Sequence, residues 1–174
     1  INTITMKHLK SFLLATTLFV ATSFTAQAQT KVAHINTQEL VEAMPEMKSA
    51  KAELEKLAKT YETDIQAMAT ELQNKIKQYD GESATKTDEE NGKRLQEVQS
   101  MEQGIRQYQS QAQQDLQKKE FDLLKPITEK AKNAILKVGK AKGFDYVLDA
   151  SQGQGIIFAG GTDLLNDVKT ELGF

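Results

Sequence analysis

The chain has 174 residues, no cysteine, no tryptophan, and 22 basic residues against 24 acidic ones. This composition excludes disulfide support and thiolate chemistry, and it gives no strongly basic face for nucleic acid. Scarce aromatics and abundant Ala, Glu, Lys and Gln point away from a compact globule and toward long solvated helices.

At the start, Met6 to Lys10 is a short basic stretch, and Phe12 to Ala21 is apolar but too short to span a bilayer. Ala26-Gln27-Ala28 then has the small-x-small form of a signal-peptidase site. Residues 1–28 are expected to be a signal peptide with a short extension upstream of Met6, cleaved after Ala28. The mature chain would begin at Gln29, with 20 basic residues against 24 acidic ones. No later stretch is apolar enough to cross a membrane, so that chain is expected to be exported and not membrane-embedded.

Lys31 to Ile35 is a short β-type run, and Asn36 opens a helical turn in a capping-box pattern with Glu39. Pro45 suits a first helical position, with Glu46 favourable to the helix dipole. From there the apolar positions Leu54, Leu57, Tyr61, Ile65, Met68, Leu72, Ile76 and Tyr79 are spaced 3, 4, 4, 3, 4, 4 and 3. That is an 11-residue repeat of about 3.67 residues per turn, so the stripe stays nearly straight. The returning segment repeats the period in Ile105, Leu116, Ile127 and Val138, and in Met101, Ala112, Leu123 and Ala134. Two helices with matching periods predict an antiparallel hairpin over 45–138, with a polar tip at 80–92 and a Thr87/Glu90 capping box. The arm should project on the order of 50 Å. Its packing seam is Leu54, Leu57, Tyr61, Ile65, Met68, Leu72, Ile105, Leu116 and Ile127. The pairs Glu71–Lys75, Glu90–Arg94, Glu102–Arg106 and Asp115–Lys119 sit in the favourable i,i+4 order. Pro126 inside the second helix predicts a kink. The glutamine-rich stretch from Gln96 to Gln117 reads as a solvated helical face.

Two more β-type runs follow, Phe144 to Asp149 and Ile156 to Ala159, joined by the turn-forming Ser151-Gln152-Gly153-Gln154-Gly155. Thr162-Asp163 caps a last short helix ending near Gly173. Residues 29–44 and 139–174 make a body of only 52 residues, with Val32, Ile35, Tyr146, Leu148 and Ile157 expected in its core. So small a core with open sheet edges predicts completion by oligomerisation. The fold class is α+β, mostly helical: a long antiparallel helical hairpin on a small β body.

No catalytic constellation appears, and no enzyme activity is expected. His34 stands without a nearby acid and nucleophile, and Asp145 and Asp149 read as exposed strand-end carboxylates. There is no phosphate-binding glycine loop, no metal-ligand cluster and no expected cofactor.

Several stretches together resemble the Skp-like (OmpH) family of periplasmic chaperones across essentially the whole mature chain. They are Lys31 to Leu40 followed by Pro45-Glu46, Gln113 to Lys119, Leu123 to Ile127, Gly143 to Asp149, Ile156 to Ala159, and Asp163-Leu164 with Val168. The sequence departs from the family pattern at Asn36, where an aspartate is usual, at Leu165, where threonine is common, and in its mildly acidic charge. The resemblance implies a jellyfish-like homotrimer, its β-barrel body carrying three arms around a cavity. It also implies a periplasmic, ATP-independent holdase whose partners are unfolded outer-membrane proteins. Met44, Met47, Tyr108 and Phe121, just off the seam, are candidate client contacts, since flexible methionine suits promiscuous surfaces. The alternative is a coiled-coil spacer or adaptor docking a fixed partner, which would call for an apolar patch at the arm tip.

Overall fold

The computed structural model describes residues 30–174, so the expected signal peptide and its cleavage site lie outside the described residues. Strand β1 (Val32–Ile35) leads into helix α1 (Thr37–Ala43), then α2 (Pro45–Glu82), a 3-10 turn (Ser83–Thr85) and α3 (Asp88–Ala141). Strands β2 (Tyr146–Asp149) and β3 (Thr162–Asp163) and helix α4 (Leu165–Leu172) complete the chain.

Local chemistry sets the boundaries. Met44 ends α1 and starts α2 in one extended residue, and Pro45 takes the first position of α2, where a missing N–H costs nothing. Thr87 and Glu90 form the expected capping box, the Thr87 hydroxyl accepting from Glu90 N and the Glu90 carboxylate accepting from Thr87 N. Asn36 caps α1 by accepting from Glu39 N at 3.0 Å. Glu39 does not complete a box there; it turns to Lys169 at 3.5 Å. Gly173 closes α4 at φ 88°, a left-handed conformation suited to glycine. Helix α3 runs unbroken through Pro126. Two residues on, the Thr128 hydroxyl donates to the carbonyls of Leu124 and Lys125.

Helices α2 and α3 pack as an antiparallel hairpin about 57 Å long, from 38 residues at ~1.5 Å each. One register holds from base to tip. Thirty-six residues separate Glu46 from Glu82 on α2, and thirty-six separate their partners Lys130 and Arg94 on α3. The seam residues are half-buried along both arms, and Ala112 and Ile127 are buried. The matched 11-residue spacing accounts for this, since neither stripe drifts away from the other.

The sheet has the order β2-β1-β3, and both pairings are parallel, Val32 opposite Tyr146 and Ala33 opposite Thr162. This corrects the expected Phe144–Ala159 turn-linked strand pair. Ile156 to Ala159 joins no strand, and the polar pair Thr162–Asp163 supplies the third one. The core is corrected too. Ala33 and Ile35 face inward and are 1% exposed, meeting Leu40, Met44, Met47, Ala131, Ala134, Val138, Leu164 and Val168. Of the residues expected in the core, only Ile35 is buried, while Val32, Tyr146, Leu148 and Ile157 are exposed. Strand alternation is the reason. Val32 and Ile35 have opposite parity and cannot share a face, and the parallel register puts Tyr146 and Leu148 on the side of Val32. Small Ala33 takes the inner position because helices crowd it, and one core runs from the sheet into the hairpin base.

Candidate functional site

Three features stand out beyond the core: a polar ladder across the arms, a tie at the sheet edge, and an uncovered apolar face on the body. The ladder replaces most of the pairs expected within single helices. Of those, only Glu102–Arg106 forms, at 3.8 Å. Lys119 reaches across to Glu53 at 2.7 Å, Lys75 to Glu97 at 2.8 Å and Arg94 to Glu82 at 2.5 Å, and Lys130 pairs with Glu46. These side chains flank the seam, so a partner on the neighbouring helix competes with the one a turn away.

Midway, the Tyr61 hydroxyl donates to Asp115 at 3.1 Å and the Tyr108 hydroxyl to Asp64 at 2.7 Å. The two rings meet edge to face, with centroids 5.8 Å apart. Removal from water and then Asp115 raise the Tyr61 pKa; Asp64 first, then desolvation, raises that of Tyr108. Near the tip, Tyr79 donates to Glu97 at 2.5 Å, and Arg94 lies 4.5 Å from the centre of the Tyr79 ring. Arg94 Nη1 is buried without a hydrogen-bond partner, and the ring face compensates part of that cost. Hydrogen bonding to Glu97 pushes the Lys75 pKa up to about 12, and the Lys75 bond lowers that of Glu97. Glu82 is lowered by Gln78 and then Arg94.

The candidate client contacts divide. Met44 (0% exposed) and Met47 (7%) belong to the core, so they are corrected as surface contacts. They fill the space where α1, α2 and the base of α3 converge. Tyr108 is half-buried in the ladder, and Phe121 is exposed with Lys125 5.9 Å from its ring. Exposed apolar residues outside the sequence expectation are Ile76, Leu95 and Leu136. Ile76 belongs to the α2 repeat, but the α2–α3 contact leaves it outside.

Asp149 corrects another expectation, because it is half-buried and structural rather than an exposed carboxylate. It accepts from the Thr37 hydroxyl at 2.6 Å, from Thr37 N at 3.3 Å and from the Ser151 hydroxyl at 2.6 Å. Burial alone would raise its pKa; the bonds from Ser151 and Thr37 outweigh burial and lower it.

The outer sheet face exposes Val32, Tyr146 and Leu148, and the nearby loop leaves Ile157 and Phe158 102% and 87% exposed. Beside the core, Val41, Ile135, Leu136, Phe144 and Val147 line a groove of about 460 Å³. Among the described residues there is no cluster suited to a metal ion, and no helix is long and apolar enough to cross a membrane.

The family described as "Outer membrane protein (OmpH-like)" matches residues 31–172, which takes in both arms and every strand. The chain belongs to the OmpH-like family. A relative named chaperone protein Skp, from Photorhabdus laumondii, is 27% identical over 145 residues, covering 82% of this chain and 88% of its own. The Skp of Pectobacterium atrosepticum is 23% identical over 134 residues, covering 77% and 81%. An OmpH-like protein of Caulobacter crescentus shares the fold with a TM-score of 0.75 at 17% identity, over 83% of this chain and 85% of that one. The OmpH-like match thus agrees with the mostly helical α+β architecture, a long hairpin on a three-stranded sheet.

Proposed function

We propose that this chain is an ATP-independent periplasmic holdase for unfolded outer-membrane β-barrel proteins. It works as a homotrimer whose arms enclose a cavity. Membership of the OmpH-like family and the relatives named chaperone protein Skp support this reading. The observation that carries it is one long, register-locked hairpin standing on a body whose outer face is apolar and uncovered. Arms joined only through their bodies can part at the tips and fit clients of different sizes. Weak contacts on one client then add through effective concentration. Closing several bodies together covers Val32, Tyr146, Leu148, Ile157 and Phe158, which a lone chain leaves in water. The activity uses no catalytic residue and no cofactor. Export follows from a signal peptide cleaved after Ala28.

The test dilutes a urea-unfolded outer-membrane β-barrel protein into buffer with or without the mature protein, without nucleotide, while light scattering is followed. Scattering suppressed at near-stoichiometric oligomer is expected. Unchanged scattering across several clients would overturn the reading.

A further inference from the structure

The middle of α3 carries a stripe that the seam does not use. Gln96, Ser100, Gln103, Gln107, Gln111 and Gln114 are all exposed and follow one another at spacings of 4, 3, 4, 4 and 3. This is the rhythm of the seam itself, so the six share one face and run parallel to the seam for about 27 Å, on the side of α3 turned away from α2. The next positions in the same rhythm are Gly92 and Lys118, so the stripe is uncharged throughout and charge returns at its far end. All but one of its amides are also without an internal partner. Among the described residues, the only side-chain hydrogen bond made by these six is Gln111 Nε2 to Asp115, at 2.8 Å.

Solvation alone does not call for this choice. Lys and Glu match Gln in helix propensity and add i,i+4 pairs, and the chain uses them elsewhere, as in Lys93–Glu89 at 2.7 Å. Glutamine brings a donor pair and an acceptor on a flexible stem without net charge. Hydrophobic capture is not available here. The exposed large apolar residues of the arms are Ile76, Leu95, Phe121 and Leu136, none of them within 96–114. An unfolded chain, whatever its sequence, offers an N–H and a C=O at nearly every residue.

We propose that this glutamine stripe binds the polypeptide backbone of unfolded clients. The inference rests on the holdase reading and names a contact surface for it. A row of uncharged amides meets donors and acceptors alike and selects no side chain. Each contact is weak, so a client shifts along the stripe and is released without nucleotide, while several arms together retain it.

The test measures binding of a fluorescently labelled, urea-unfolded outer-membrane β-barrel protein by anisotropy, using the full mature chain. One variant carries Gln103→Ala, Gln107→Ala and Gln114→Ala. A control removes as many amides from the adjoining face of α3, with Gln109→Ala, Gln113→Ala and Gln117→Ala. Alanine favours the helix, so both should keep wild-type circular dichroism and oligomer mass. The stripe variant is expected to bind roughly tenfold more weakly and the control less than about twofold. Wild-type affinity in the stripe variant, or equal loss in both variants, would overturn the proposal while leaving the holdase reading intact. A changed oligomer mass in the stripe variant alone would overturn it too, by assigning the face to contact between copies. A wild-type protein that binds no client would overturn both.

Discussion

Replacing Ser151 with alanine tests how a very short sheet is held to the helices. The first three N–H groups of α1 lack helical partners, as at any helix start. Each is capped by a different side chain: Thr37 N by Asp149 at 3.3 Å, Gln38 N by Ser151 at 3.1 Å and Glu39 N by Asn36 at 3.0 Å. Two of the three caps come from the far end of the chain, after the whole arm has gone out and back. Ser151 is 4% exposed, and Ser151→Ala removes the acceptor of the part-buried bond from Gln38 N together with a 2.6 Å bond to Asp149. Losing these two bonds costs roughly 1–3 kcal/mol. At ~2–4 °C per kcal/mol for a chain of this size, about 2 kcal/mol lowers Tm by ~4–8 °C. Thermal unfolding followed by circular dichroism at fixed protomer concentration reads this directly. The same variant should shift acid unfolding. The folded pKa of Asp149 is depressed, so its contribution is present above the unfolded value near ~3.9 and lost as pH falls through the folded one. Losing the Ser151 bond raises that folded pKa and moves the loss to higher pH. A Tm within about 1 °C of wild type, with an unmoved acid transition, would show that the tie contributes nothing.

A Cβ added at Gly139 would sit 2.9 Å from Val147 Cγ2, so Gly139→Ala displaces the Val147 side chain or α3 itself; this crowding, about 1–3 kcal/mol, should outweigh the ~0.5–1 kcal/mol that alanine gains in a helix and lower the midpoint of a denaturant melt. An unchanged midpoint would refute the close approach. At the tip, Glu82, Glu90 and Glu97 all have depressed folded pKa values, so their contribution is lost as pH falls below the ordinary carboxylate range. Lys75 has the opposite sign: its contribution holds below about 10.5 and fades as pH rises through about 12. The chain has no cysteine, so a pair of introduced spin labels across the tip can report both openings; distances constant from pH 3 to pH 12 would refute the clamp. Replacing both Ile157 and Phe158 with serine should leave helicity unchanged and lower the mass found by light scattering, whereas an unchanged mass would place the body interface elsewhere. Glu53→Lys should lower Tm by about 1–3 °C and Lys119→Glu should restore it in the double variant; additive losses would deny the pair.

The arms were legible because their signal is long. Eleven-residue spacing persisted over many turns in both helices, and with so short a connection between them the two stripes meet throughout only as an antiparallel hairpin. The Thr87/Glu90 box was legible for a different reason, since both halves of that bond lie within one turn. The body was not, because its order depends on partners far apart in sequence. Ile156 to Ala159 is the more β-prone run, yet β1 takes Thr162–Asp163 as its edge neighbour. Nothing local distinguishes the two. The same holds for Met44 and Met47, whose burial follows from three helices converging rather than from their own flanks. Asp149 looked like an exposed carboxylate because Thr37 stands 112 residues away in sequence.

The ladder's polarity explains why this hairpin has one register. Near the base, α2 supplies the acid and α3 the base, in Glu46–Lys130 and Glu53–Lys119. Farther out the roles reverse, with Lys75 on α2 and Glu97 on α3. Helix α3 is thus acidic early and basic late, which suits its dipole at both ends, while α2 matches its dipole at the start only, through Glu46. Two such helices complement each other only when antiparallel; side by side and parallel, Glu46 and Glu53 would face Asp88 to Glu97. Exposed pairs of this kind add little stability singly. Their collective effect is to disfavour wrong pairings that the apolar stripe, repeating every 11 residues, would otherwise tolerate. Glu82–Arg94 is the exception, with the acid at the end of α2. There the Tyr79 ring takes Arg94 against its face, so stacking rather than the dipole sets the arrangement at the tip. An arm locked by charge order along its shaft can stay straight while its outer surface remains free for weak, sequence-blind contacts.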